Sequence, residues 1–123
     1  MEQIIKKYLV GLENANYQSI IQLFEENAMV KSPLYGIISA KEFYKGLFND
    51  TSQSKITLLN VFLNTVNPSV GAGHFRYDWI MKDGNETSFE CVDVFTLADC
   101  DKIKELTIIY DTFGIRDVFT NLK

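Results

Sequence analysis

The hydrophobic period of this chain changes once, near residue 50, and that change limits the folds open to it. Before it, apolar residues recur every three to four positions; after it, they alternate or run on continuously. Ile4, Ile5, Tyr8, Leu9 and Leu12 form a single stripe, as one face of a helix does. Asn14 and Asn16 break that helix, and a second is predicted with Tyr17, Ile20, Ile21 and Phe24 on one face. AMVKSP reads as a short extended piece, stopped by Pro33 and turned by Gly36. Ser39-Ala40-Lys41-Glu42 fits the capping box, so a third helix starts there and buries Phe43, Tyr44, Leu47 and Phe48.

After NDTSQS the pattern is that of strands. KITLLNVFLNTV is rich in β-branched and apolar residues, and Asn67-Pro68 ends it. The next strand runs through AGHFRYDWI to Met81, and Asp83-Gly84 marks a hairpin turn. A further strand is predicted from about Glu86 to Leu97, ADCD turns the chain, and KIKELTIIYDTF is the last. Three helices followed by a meander of long antiparallel strands define an α+β class. If such a sheet curves around helices packed on one face only, a conical pocket is left between the layers.

AGHFRYDWI is the most informative strand, because a side-chain period of two gives it an ionisable face and an aromatic face. His74, Arg76 and Asp78 share one side; Phe75, Tyr77 and Trp79 share the other. The residues alone allow either face to look inward. With the aromatics inside, the polar trio is solvated surface; with the polar trio inside, it is a candidate active site.

The remaining features exclude more than they identify. A chain of 123 residues is read as a single domain over 1–123, long enough to bury roughly two-thirds of its unfolded surface. Its net charge of −4 and lack of a basic run argue against nucleic acid as a partner. MEQIIKKYLVGLENAN does not read as a signal peptide, and no apolar run approaches the roughly 18 residues of a membrane span. Cys91 and Cys100 are too few for a disulfide framework, which fits reduced thiols and a cytoplasmic setting. One histidine and no metal-type spacing of His and Cys give no metal site, and no cofactor is expected.

From Ile4 to about Phe113 the chain resembles the SnoaL-like and ketosteroid-isomerase-like branch of the nuclear transport factor 2-like superfamily. The resemblance rests on the order and spacing of YLVGLENANYQSIIQLFEENAMVKSPLYG, the helix after Gly36, DVFTL and KIKELTIIYD. It implies a strongly curved, mostly antiparallel sheet wrapped around the helices in the cystatin-like manner, with a small apolar molecule in the conical pocket. It also assigns the faces of AGHFRYDWI. The positions of Arg76 and Asp78 turn into the pocket in ketosteroid isomerases, and Arg76-Tyr77-Asp78 matches an inward Arg-x-Asp pair of limonene epoxide hydrolases. Phe75, Tyr77 and Trp79 would then lie outside, as an apolar patch that a homodimer would cover.

The resemblance implies further roles. Tyr8 falls on a Tyr of the first helix, and Asp93 on a strand Asp that stays protonated in an apolar site. Together they would donate hydrogen bonds to a developing oxyanion. Asp78 would act as general base with Arg76 orienting it, and His74 would stand at the rim. Other positions depart from the known constellations. Ser32 stands where the isomerases carry their base, and where the hydrolases carry an Asn. Ile108 and Leu106 stand where the hydrolases carry a second Asp and a Trp. Ser32, Tyr110, Ile108, Leu106 and Cys91 are therefore expected as lining residues, with Cys91 a small core residue rather than a nucleophile. Two functions follow. One is a cofactor-independent acid–base enzyme of isomerase, cyclase or hydrolase type acting on a small apolar carbonyl or epoxide compound. The other is a non-catalytic ligand-binding or dimerisation module, expected if Phe24, Phe43, Phe62 and Phe95 fill the pocket.

Overall fold

The computed structural model describes residues 1–122. Its elements, in order, are α1 (Glu2–Glu13), α2 (Tyr17–Ile21), β1 (Phe24–Ser32), β2 (Gly36–Ser39), α3 (Ala40–Asn49), β3 (Thr51–Leu63), β4 (Val70–Met81), β5 (Glu86–Leu97), β6 (Ile103–Ile109) and α4 (Arg116–Leu122). The helices begin where local chemistry predicts. Asn16 caps α2 through its side-chain oxygen, which accepts from the Ser19 amide at 3.1 Å, and Ser39 caps α3 by accepting from the Glu42 amide at 3.2 Å. Three details differ from the sequence pattern. Phe24 opens β1 instead of closing α2, because it pairs in parallel with Ile103. β3 takes in the polar TSQS segment, which forms a ladder with the end of β4. β2 and α4 are additional elements.

The six strands lie in the order β2-β1-β6-β5-β4-β3, with only the β1–β6 pair parallel. Register shifts interrupt β3 between Thr51 and Gln53 and between Leu58 and Asn60, and β1 between Phe24 and Met29. Each such irregularity bends its strand and increases the twist, so the sheet curves around α1 and α3. The narrow end of the cone depends on a missing side chain. A Cβ at Gly73 would stand 3.0 Å from Ile5 Cγ2, so this glycine lets α1 approach β4 closely.

The facing of β4 is the reverse of the one the family resemblance implied. Phe75, Tyr77, Trp79 and Met81 are buried in the core, whereas His74 and Asp78 are half-buried and Arg76 is exposed on the outer face. Relative magnitudes explain this orientation. Each buried Phe or Trp is worth about 3–5 kcal/mol relative to Ala, whereas an exposed ion pair is worth roughly 0–1 kcal/mol. Turning the polar trio inward would forfeit the first and bury charges as well. An outer patch of Phe75, Tyr77 and Trp79 therefore does not exist, and it supplies no dimer surface. By the same reasoning, Phe75→Ala should lower unfolding free energy by about 3 kcal/mol or more, and Arg76→Ala by less than about 1 kcal/mol. Urea denaturation of the two variants checks this, and the opposite ranking would refute the inward aromatic face.

Candidate functional site

The floor of the cone is a small polar cluster inside an apolar core. Tyr8, on the inward stripe of α1, meets Tyr44 of α3 hydroxyl to hydroxyl at 2.5 Å, and both rings are fully enclosed. Asp93, 1% exposed, projects from β5 toward them, and the Cys91 thiol donates to its Oδ1 at 3.0 Å. Phe24, Tyr44 and Phe95 hold the Tyr8 ring edge-on, with Phe95 the nearest at 5.0 Å. Burial pushes the Asp93 carboxyl up to about 7, although hydrogen bonds from Cys91 and Tyr8 pull it part of the way back. The same burial, reinforced by the Asp93 carboxylate, pushes the Cys91 thiol up and leaves it protonated and unreactive. Burial likewise keeps the Tyr8 and Tyr44 phenols neutral. The floor therefore presents proton donors.

Aromatic side chains from every layer wall the space above it. Phe75, Tyr77 and Trp79 of β4, Phe89 of β5, Phe43 of α3, Tyr35 of the β1–β2 turn and Tyr110 beyond β6 line the cavity with Leu12 and Leu47. Several polar atoms there are already engaged. Ser32 Oγ accepts from the Leu34 and Tyr35 amides at 3.2 Å, so it closes the β1–β2 turn. Tyr35 donates to Asp50 at 2.7 Å, Trp79 donates to Thr51 at 2.8 Å, and the Tyr77 and Ser54 hydroxyls are 3.2 Å apart. Among the described residues no lysine, arginine or histidine lines the cavity, so none of them offers a counter-charge to an anion. Its free volume is about 30 Å³, room for about two water molecules.

Of the residues expected at the site, Tyr8, Asp93, Ser32, Tyr110, Ile108 and Cys91 converge on this cavity. Leu106 is fully buried in the core beside it. His74, Arg76 and Asp78 lie on the opposite side of the sheet, because alternate residues of β4 point the other way. There they form a surface network. Arg76 Nε donates to Asp78 Oδ1 at 3.1 Å, His74 Nε2 stands 2.7 Å from Glu90 Oε1, and Asn60 Nδ2 stands 3.2 Å from His74 Nδ1. The Ser88 hydroxyl, ahead of Arg76, holds the Asp78 carboxyl below its usual range. Asp78 therefore does not reach a ligand in the cone. Phe62 is also outside, 55% exposed, while Phe24 and Phe95 belong to the core and Phe43 alone of those four lines the cavity. Among the described residues no cluster of His, Cys, Asp or Glu suits a metal ion, and no helix is long and apolar enough to cross a membrane.

Tyr35 reaches the site without any local signal in the sequence, and the signal for Tyr44 is limited to its place on the buried face of α3, since each meets its partner only after α3 and the β1–β2 turn fold over α1 and the sheet. Tyr77, Trp79 and Phe89 did leave a signal. Asp93 and Phe75 lie on strands joined by a short hairpin, and its register puts Phe75 opposite Cys91, two residues from Asp93. An inward Asp93 therefore requires inward aromatics on β4.

The architecture is the nuclear transport factor 2-like fold, a curved sheet closing over N-terminal helices. An NTF2-like protein of unknown function from Exiguobacterium sp. 255-15 superposes with a TM-score of 0.75 at 14% identity, covering 88% of this chain and 98% of that one. SalBIII, an epoxide hydrolase/cyclase-like enzyme of pyran ring formation in the polyether salinomycin, superposes with a TM-score of 0.76 at 18% identity, covering 89% of each chain. AclR from Streptomyces galilaeus gives a TM-score of 0.76 at 9% identity, covering 98% of this chain and 80% of its own. Neither a family model nor a curated protein sequence matches the chain.

The position of Asp93 has a consequence for stability. Its folded pKa of about 7 lies above the ordinary 3.8, so between about pH 4 and about pH 7 the folded chain holds a proton that the unfolded chain has lost. The stability linked to it is complete below the lower value and is lost as pH rises through about 7. Asp93→Asn mimics the protonated acid. The wild type should lose stability relative to that variant by up to about 1.4 kcal/mol per pH unit across the window. Parallel denaturation curves at all pH values would refute a buried, titrating Asp93.

Proposed function

We propose that the protein is a SnoaL-like binder of a small, neutral, largely apolar molecule, on whose carbonyl or epoxide oxygen it acts as an acid. Asp93 is the proton donor, and Tyr8, backed by Tyr44, supplies a second hydrogen bond to the same oxygen. The supporting observation is that the one carboxyl among the described lining residues is buried, keeps its proton up to about pH 7 and is surrounded by aromatic walls with no basic side chain among those residues. The reaction would then be an isomerisation, cyclisation or hydrolysis begun by protonation. The likeness to the SalBIII fold supports this class without naming the substrate. The free Cys91 and Cys100 thiols support a cytoplasmic setting.

A second reading, ligand binding without catalysis, is favoured by Ser32 and Ile108. They line the cavity at positions that carry carboxylates in the isomerases and hydrolases the chain resembles, so no second carboxyl lines it among the described residues. Steady-state assays on panels of neutral ketones and epoxides separate the two readings. Under the first, Asp93→Asn lowers kcat about a hundredfold, and wild-type activity declines as pH rises through about 7. Turnover unchanged in Asp93→Asn would refute the acid role. Binding of the same compounds without turnover would establish the second reading.

We further infer that a second copy of the chain covers the outer sheet face, on grounds other than the aromatics of β4. Phe62, Ile109 and Met29 project from that face and are 55%, 53% and 37% exposed. Sedimentation at micromolar concentration should give a dimer that Phe62→Glu weakens, and a monomeric wild type would refute it.

A further inference from the structure

The cavity is too small for the ligand its walls suit, and the C-terminal helix indicates where the room comes from. Pockets that enclose an organic molecule measure roughly 300–1,000 Å³, against about 30 Å³ here. Enlarging this one requires some side chain to leave. Phe75 and Trp79 are anchored in the middle of the sheet and Phe43 in α3, all nearly fully buried. Phe119 is different. It is half-buried on α4, a seven-residue helix joined to the sheet through the exposed residues Phe113 and Gly114. A helix so short depends on side-chain packing for its place.

The contacts of Phe119 show what it occupies. Its ring stands edge-on to Tyr35, with centroids 5.0 Å apart and an interplanar angle of 74°, and tilted to Trp79 at 6.5 Å and 37°. Tyr35 in turn stands edge-on to Phe43 at 5.2 Å and 80°. Tyr35 and Trp79 both line the cavity, so Phe119 rests against two of its aromatic walls, with Phe43 packed on Tyr35 beside them. The Tyr35 phenol is held by Asp50 and the Trp79 indole by Thr51, which fixes these two rings whether or not Phe119 is in place.

We propose that Tyr35 and Trp79 form a subsite for a planar aromatic ring of the ligand, and that Phe119 fills it in the free protein. The proposal rests on the reading of the cone as a pocket for a neutral carbonyl compound, and it adds a ring at a defined place in that compound. A ligand ring entering the subsite replaces the edge-on and tilted contacts that Phe119 gives up, so the exchange preserves ring packing. A saturated ring of similar size offers no such replacement. Because α4 must leave first, apparent affinity is reduced by the fraction of molecules in which it is displaced.

The test uses the full chain and two matched ketones, acetophenone and cyclohexyl methyl ketone. Affinity is read by titration calorimetry. The site is read from the indole N–H resonance of Trp79, the single tryptophan. Phe119→Ala should bind acetophenone at least tenfold more tightly than the wild type and shift the Trp79 signal, while the saturated ketone gains less than threefold. Phe119→Leu keeps apolar bulk on α4, lacks the ring, and should fall between the two. It also decides the matter if the alanine variant proves too unstable to titrate. Equal affinity of wild type and variants for acetophenone would overturn the ring subsite and leave the pocket reading intact. An equal gain for the saturated ketone would also overturn it, because the vacated space would then be an unselective apolar hole. Failure of both ketones to bind any form would overturn both the subsite and the pocket reading.

Discussion

Residues directly opposite one another in an antiparallel ladder project from the same side of the sheet, and the rest of this structure depends on that constraint between β4 and β5. Gly73 faces Asp93, Phe75 faces Cys91 and Tyr77 faces Phe89. One face of the ladder therefore carries the carboxyl, the thiol and the aromatics together, and the alternate residues form the other. Once α1 and α3 cover that face, Asp93 has no route to water, and its proton is retained to about pH 7. The acid at the floor and the aromatic walls thus have one cause, a hairpin register.

The register also makes the two groups of charged residues chemically different. Asp78 and Arg76 are solvated, paired with each other and steadied by Ser88, so Asp78 is an ordinary surface carboxylate. Asp93 has a thiol, phenols and aromatic rings around it and no cation among the lining residues, so it is an acid. A site whose polar atoms are a neutral carboxyl, a thiol and phenols favours an uncharged acceptor oxygen, and it penalises a carboxylate or phosphate that would have to shed its water without compensation.

Much of this was readable from local pattern. The helix starts at Asn16 and Ser39, the hairpin at Gly84 and the limits of β5 follow from caps, turn chemistry and period, which act between near neighbours. Tyr8, Asp93, Ser32 and Tyr110 were expected at the site from the family resemblance, and all four line the cavity. Alternation along β4 supplies two faces and no direction, and the family resemblance assigned the inner one to the polar residues, the reverse of the structure. An inward Asp78 and an inward Asp93 are incompatible on one ladder, and counting across the Asp83-Gly84 turn would have exposed the conflict.

Sequence alone determined the class of the chain, the order of its main elements and the two-sided character of β4, because period and capping are properties of residues a few positions apart. Tertiary structure decided which side of β4 is inside, that Tyr44 and Tyr35 join the site, and that Phe119 rests on its aromatic walls. Those outcomes arise from competition between burying rings and solvating charges, and from contacts between segments distant along the chain. Neither exists until the sheet has curved over the helices.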